Sequence, residues 1–313
     1  MKKVLRNAIL SVLFLFCASA IAEDNMPKVR AFSLVVREGF GLIAVGDLNT
    51  TLGSINSMYD SVSEYYDRFI GKIRKVPCSS FDWEAELQWT VDRFSVGIAL
   101  STPTHYDRKS NLTYIIIGDM GTQTNDYTYE PDIRASAPIK LNLYYSRPLS
   151  QKLNLLYHGG LGYYRARMTL YEQSHLLTVD GATYVLDRLI NVSGNNIGFH
   201  IGMGLEYKLN HSFSLFFDGQ WRLCRIRSLQ GDELFTANIY DAEGNLEVSE
   251  SFSEEGYLYH FIEFREDFGF RCEALSVFDE IPEIWISPPT DIRKAFIDLS
   301  GFTFRIGLKI GLF

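Results

Sequence analysis

Period-two alternation dominates this chain beyond about residue 30, and it predicts strands. In "FDWEAELQWTV", Phe81, Trp83, Ala85, Leu87, Trp89 and Val91 share one face of an extended segment, while Asp82, Glu84, Glu86, Gln88 and Thr90 share the other. After the tight link Asp92-Arg93 the pattern resumes in "FSVGIAL", with Phe94, Val96, Ile98 and Leu100 on the apolar face. A second hairpin is predicted between "APIKLNLYYS" and "KLNLLYHGGLGYYRA" across "RPLSQ". A third joins "NIGFHIGMGLEYKL" to "FSLFFDGQWRLC" across "NHS". A segment from about Phe32 to Asp47 and the terminal "SGFTFRIGLKIGLF" bring the predicted strands to about eight. That last strand is apolar at Phe302, Phe304, Ile306, Leu308, Ile310 and Leu312, and carries Arg305 and Lys309 on its other face.

Connection lengths sharpen the picture. Short links near 92–93, 147–151 and 209–211 alternate with long ones near 49–78, 172–195 and 228–292, and with a moderate one near 119–126. Strict alternation of short turns and long loops is the plan of a closed antiparallel up-and-down transmembrane β-barrel, with the long loops extracellular. Such a barrel turns its apolar faces to lipid and can keep charge inside, while closure leaves no strand edge unpaired. Trp89, Tyr144, Tyr145 and Tyr207 lie near the short turns, where a membrane-interface belt is expected.

The N-terminus fits that destination. Lys2, Lys3 and Arg6 precede the apolar "AILSVLFLF" and an A-x-A-like site at Ala20-Ile21-Ala22, so residues 1–22 read as a cleaved signal peptide and 23–313 as one barrel domain. Mean hydropathy is −0.04, and no later apolar run is long enough for a spanning helix. Cys78, Cys224 and Cys272 remain after cleavage, too few for a disulfide-built scaffold; Cys78 and Cys272 could pair if their loops meet. Net charge is −8, and no basic stripe suggests a nucleic-acid partner. Charge is uneven: between Ser228 and Thr290 there are 15 acids against two arginines, a local −13. Eleven aromatic residues in the same stretch argue for an ordered cap rather than a disordered tail, with "DAEGN" at 241–245 as a hairpin turn. "SINSMYDSVSEYYDRFIGKIRK" spaces Ile55, Met58, Val62, Tyr65, Tyr66 and Phe69 as a helix in the first long loop.

"KLNLLYHGGLGYYRA", "IGFHIGMGLEYKLNHSFSLFFDGQWR" and "IDLSGFTFRIGLKIGLF" resemble bacterial outer-membrane β-barrel-domain proteins of the OmpA/OmpW-like small-barrel kind. The likeness implies an integral protein of the Gram-negative cell outer membrane, inserted by the barrel-assembly machinery, whose lipid partners include lipopolysaccharide. The family's terminal aromatic is matched by Phe313.

Opposite the apolar faces, Arg37, Glu84, Glu86, Lys140, His158, His200, Glu206, Lys208, Asp218, Arg222, Arg305 and Lys309 are directed inward as a polar network. Strand adjacency makes Arg37–Glu84 and Asp218–Arg305 the expected pairs, since buried charge must be neutralised. The resulting expectation is a structural or surface-interaction role, with no cofactor and no enzymatic activity. A narrow porin-like channel for small solutes or ions is the alternative. A lipid-modifying enzyme is a further one, for which His105, Ser174, His175 and His260 form no recognisable triad and no G-x-S-x-G elbow occurs. Acidic loop residues could also contact an extracellular ligand or hold divalent cations through oxygen ligands.

Overall fold

The computed structural model describes residues 30–62, 68–118, 121–265, 270–281 and 289–312; the signal segment 1–22, Tyr65, Tyr66 and Phe313 lie outside them. β1 (Arg30–Gly46) leads into α1 (Asp47–Val62), followed by β2 (Arg68–Gly71), β3 (Ser79–Val91), β4 (Phe94–Ser101), β5 (Thr104–Asp107) and β6 (Ser110–Gly118). Three very long strands follow: β7 (Gly121–Pro148), β8 (Leu153–Leu177) and β9 (Thr183–Lys208). Then come β10 (Phe213–Leu223), β11 (Arg225–Arg227), β12 (Gln230–Tyr240), β13 (Leu246–Arg265), β14 (Phe270–Phe278), β15 (Thr290–Lys294) and β16 (Phe296–Gly311).

Eight of these strands close a ring. In the order β1-β3-β4-β7-β8-β9-β10-β16 each pairs antiparallel with the next, and β16 returns to β1 through Ser33↔Gly311 to Gly46↔Ile297. Arg37 lies opposite Glu84, and Asp218 opposite Arg305. At the β3–β4 link Asp92 takes a positive φ of 58°, a backbone state that short polar residues tolerate and that a two-residue hairpin turn demands. The 241–245 turn uses Gly244 at φ 86° in the same way.

Each long strand faces two different surroundings. On β8, the outward residues from Leu153 to Tyr163 are Leu153, Leu155, Tyr157, Gly159, Leu161 and Tyr163, and their inward neighbours include Asn154 and His158. Two residues later the balance inverts: Arg165 and Arg167 point out, and Tyr164, Ala166, Met168 and Leu170 are buried. The lower ring therefore carries its grease outside, with Phe81 71%, Ile197 65% and Phe304 63% exposed. The upper part is built like a soluble protein. Its apolar core runs from Ile43 and Leu52 through Ile133, Met168, Ile190 and Leu229 to Leu258, Val277 and Leu299. One outward position breaks the lower band, since Glu38 is exposed between Val36 and Phe40.

Helix α1 sits in this upper core. Asp47, at its positive N-terminal end, accepts from Arg293 at 2.6 and 2.7 Å and from the Phe296 amide at 3.0 Å. Asn49 and Asn56 lace the helix to the backbone of Val76 and Ile73. Leu48, Leu52, Ile55 and Tyr59 bury the apolar face.

Several expectations need correction. Residues 172–195 are not a loop: β8 and β9 continue through them to the turn at 178–182, because their inward residues still bury apolar surface after the outward ones become polar. Likewise β7 already begins at Gly121 within the segment expected as a loop near 119–126. The helix spans Asp47–Val62 rather than residues 54–75, with Phe69 in β2. Cys78 carries a free thiol, so the expected Cys78–Cys272 disulfide is not formed.

Candidate functional site

The inward residues of the lower ring form a closed ionic lattice. Glu84 is its hub: Oε1 accepts from Arg37 at 2.8 Å and from Arg305 at 2.9 Å, while Oε2 accepts from Lys140 at 2.5 Å and Ser101 at 3.2 Å. Arg37 donates also to Glu86 at 2.5 Å and to the Tyr144 hydroxyl at 2.8 Å, and its guanidinium lies 4.8 Å from the Phe216 ring centroid. Arg305 grips Asp218 in a two-pronged fork at 3.0 and 2.6 Å, the strongest geometry such a pair can adopt. His158 Nε2 stands 3.0 Å from Asp218 but off the line of a good hydrogen bond. His200 bonds Asn142 at 2.7 Å.

Three cations (Arg37, Lys140, Arg305) meet three carboxylates (Glu84, Glu86, Asp218), so the layer sums to zero with neutral histidines. All six side chains are at most 2% exposed. Small residues make room for these long side chains. A Cβ on Gly97 would lie 1.7 Å from Glu86 Oε1, so a side chain there would push that carboxylate from its present place.

Three expected members stand apart. Glu206 and Lys309 meet at 3.4 Å near the short-turn end, with Asn154 donating to Glu206 at 3.1 Å. Arg222 is at the other end, donating to the Leu299 carbonyl at 2.7 Å and stacking over Tyr164 at 5.4 Å. Tyr144 lies near a short turn, where the interfacial belt is expected, but it is 2% exposed and inside the lattice. Its phase gives it away, since it continues the inward series Lys140, Asn142. Trp89 and Tyr207 do face outward.

Above the lattice lies a void of about 20 Å³ bordered by Asp82, Lys140, Tyr164 and Arg222. Asp82 Oδ1 and the Tyr164 hydroxyl are buried on it without a protein partner, which suits a single trapped water. Higher still, the inward side chains join the apolar core. In that upper region Arg188 donates to Glu233 at 2.6 Å, to Glu172 at 3.1 Å and to the Leu275 carbonyl, and these carboxylates raise its pKa despite burial. Burial likewise lifts the Tyr59 and Tyr129 phenols well above their usual range. Among the described residues no group of three His, Cys, Asp or Glu side chains is placed to hold a metal.

No protein-family model and no curated protein matches the chain. Among solved structures it is similar to the outer membrane protein OprG from Pseudomonas aeruginosa, at 13% identity over 90% of this chain and 97% of that one, TM-score 0.29. It is also similar to the outer membrane protease OmpT from Escherichia coli, at 11% identity over 92% of this chain and 99% of that one, TM-score 0.32. The chain's own architecture decides its class: a closed ring, apolar outside and ionic inside, is stable only where hydrocarbon replaces water around it. No helix among the described residues is long and apolar enough to cross a membrane. By its ring architecture the chain is an outer-membrane β-barrel protein.

Proposed function

We propose that the ring is an eight-stranded transmembrane barrel, sealed rather than open, and that it serves as an anchor for a non-catalytic extracellular platform that makes the protein's surface contacts. The observation that carries this reading is the stacking of two plugs in one bore. A neutral ion-pair lattice centred on Glu84 lies below, and an apolar core lined by Tyr164, Ile297 and Leu299 lies above. The roughly 20 Å³ between them holds about one water, far too little for a solute path. An eight-stranded ring of this kind fills with side chains rather than enclosing a channel.

Planar-bilayer recording tests the proposal. Purified protein inserted at neutral pH is expected to give no conductance steps above the bare membrane. Steady unitary steps from the wild type would overturn the sealed reading and favour a narrow channel for ions or small solutes.

A further inference from the structure

Just above the apolar band, three outward arginines share one depression. We propose that this face of β7, β8 and β9 binds the phosphate groups of an outer-leaflet lipid through Arg134, Arg165 and Arg167. The assignment rests on the membrane-spanning reading of the ring.

The depression has a volume of about 490 Å³ and is lined by the three arginines with Asn191, Ser193 and Asp232 among others. Arg134 and Arg167 face each other directly across β7 and β8. Like charges in that register repel; Asp132 offsets part of this at Arg134, and an anion over the pair would relieve the remainder. Arg134 is steadied by Asp132 at 2.9 and 3.1 Å, and Arg167 Nε by Asn191 at 2.9 Å, which leaves its terminal nitrogens outward. The Arg165 side chain is exposed. With Asp132 and Asp232 counted, the patch is +3 − 2 = +1, while residues 228–290 of the same extracellular half carry −13.

Depth selects the ligand. The outward apolar run on β8 goes from Leu153 to Tyr163, ten residues on. At about 3.4 Å each and a tilt of about 40° it climbs roughly 26 Å, the full height of a barrel's apolar band. Arg165 and Arg167 follow at once, at headgroup level. Beneath them Ile139, Leu161, Tyr163 and Ile197 are about half exposed or more, ready for acyl chains. Guanidinium forks match phosphate oxygens two at a time. Phosphate above and hydrocarbon below is the chemistry of a phosphorylated lipid, not of a free anion.

The test uses full-length protein folded in phosphatidylcholine vesicles and titrated with bis-phosphorylated lipid A, fully dephosphorylated lipid A and inorganic phosphate. The bis-phosphorylated lipid is expected to bind, the dephosphorylated form not to, and inorganic phosphate not to compete. The double variant Arg165→Gln/Arg167→Gln should weaken binding about tenfold or more. Arg227→Gln, outside the depression, should leave it unchanged. All these side chains are exposed, and retained heat-modifiable gel mobility reports folding; should the double variant misfold, Arg134→Gln takes its place. Unchanged affinity in the arginine variants, or equal binding of the dephosphorylated lipid, overturns the proposal; displacement by inorganic phosphate reduces it to a bare anion site and overturns the lipid assignment. Wild type that inserts but binds no phosphorylated lipid sinks the lipid site alone. Wild type that never inserts sinks the membrane reading, and the site with it.

Discussion

Replacing Glu84 by Gln is the most informative perturbation of the barrel. The carboxylate touches Arg37, Lys140 and Arg305 at 2.8, 2.5 and 2.9 Å, all in the dry bore. Neutralising it leaves three buried cations against Glu86 and Asp218, a net +1 where the wild type has zero. A charge pair about 4 Å apart at an effective dielectric near 20 is worth roughly 4 kcal/mol. Removing one partner of a buried pair costs about 3–5 kcal/mol, because the desolvation of the remaining charge is no longer offset. We expect that loss in urea unfolding from vesicles, followed by the fluorescence of the lipid-facing Trp83, Trp89 and Trp221. The double variant Glu84→Gln/Lys140→Met restores neutrality and should recover about half of it. Lys309→Gln, whose partner Glu206 is 3.4 Å away at a wetter end, should cost no more than about 1 kcal/mol. A Glu84→Gln barrel within about 1 kcal/mol of wild type would refute the hub argument.

Two further predictions concern the half beyond the apolar band. Arg188→Met cuts the link from β9 to Glu172, Glu233 and the Leu275 carbonyl, so amide hydrogen exchange across β12 and β14 should accelerate about a hundredfold while heat-modifiable mobility persists. Unchanged exchange would show that the apolar core alone holds the cap. Burial, with the 2.6 Å bond to Asp187, pushes the Tyr171 phenol up to about 12. A folded-state pKa above the unfolded value of about 10 means stability is complete below pH 10 and lost as pH rises through 12. Tyr171→Phe should flatten that decline relative to wild type in unfolding midpoints taken across the window, and parallel curves would count against it.

Strand phase was legible from the residues, and with it the inward set, because period two is a property of the chain alone. Arg37, Glu84, Lys140, Asp218 and Arg305 could all be assigned inward from alternation, and neighbouring strands made Arg37–Glu84 and Asp218–Arg305 natural pairs. Lys140 to Glu84 was not legible. It crosses β4, and which side chains meet across a bore depends on shear and on small residues such as Gly97 and Ala99 in between. The extent of β7, β8 and β9 was hidden for another reason. Above Tyr163 the outward face turns polar, so the oily stripe that marked the strand vanishes, although Ala166, Met168 and Leu170 continue the same inward phase. Helix α1 was misplaced because Ile55, Met58 and Val62 carry its period, whereas Asp47, Asn49 and Asn56 fix its position through contacts distant in sequence.

One strand crossing two solvents explains why both plugs exist. Below Tyr163 hydrocarbon takes up the apolar side chains, so nothing drives apolar residues inward, and the bore can be filled with polar groups provided their charges cancel. Above Tyr163 water takes up the polar side chains, so the same inward phase must gather the apolar ones or leave the extension without a driving force. The switch from His158 and Gly160 to Tyr164 and Met168 along one face of β8 is therefore tied to the height of the bilayer. It also ties sealing to stability. Opening a path through the upper core would expose the apolar surface that holds β7 to β9 together beyond the membrane, and opening the lower lattice would strip Glu84 of the cations that make its burial tolerable. On the proposed sealed reading, either change removes the free energy that keeps its own storey folded, so a conducting state would be a partly unfolded one.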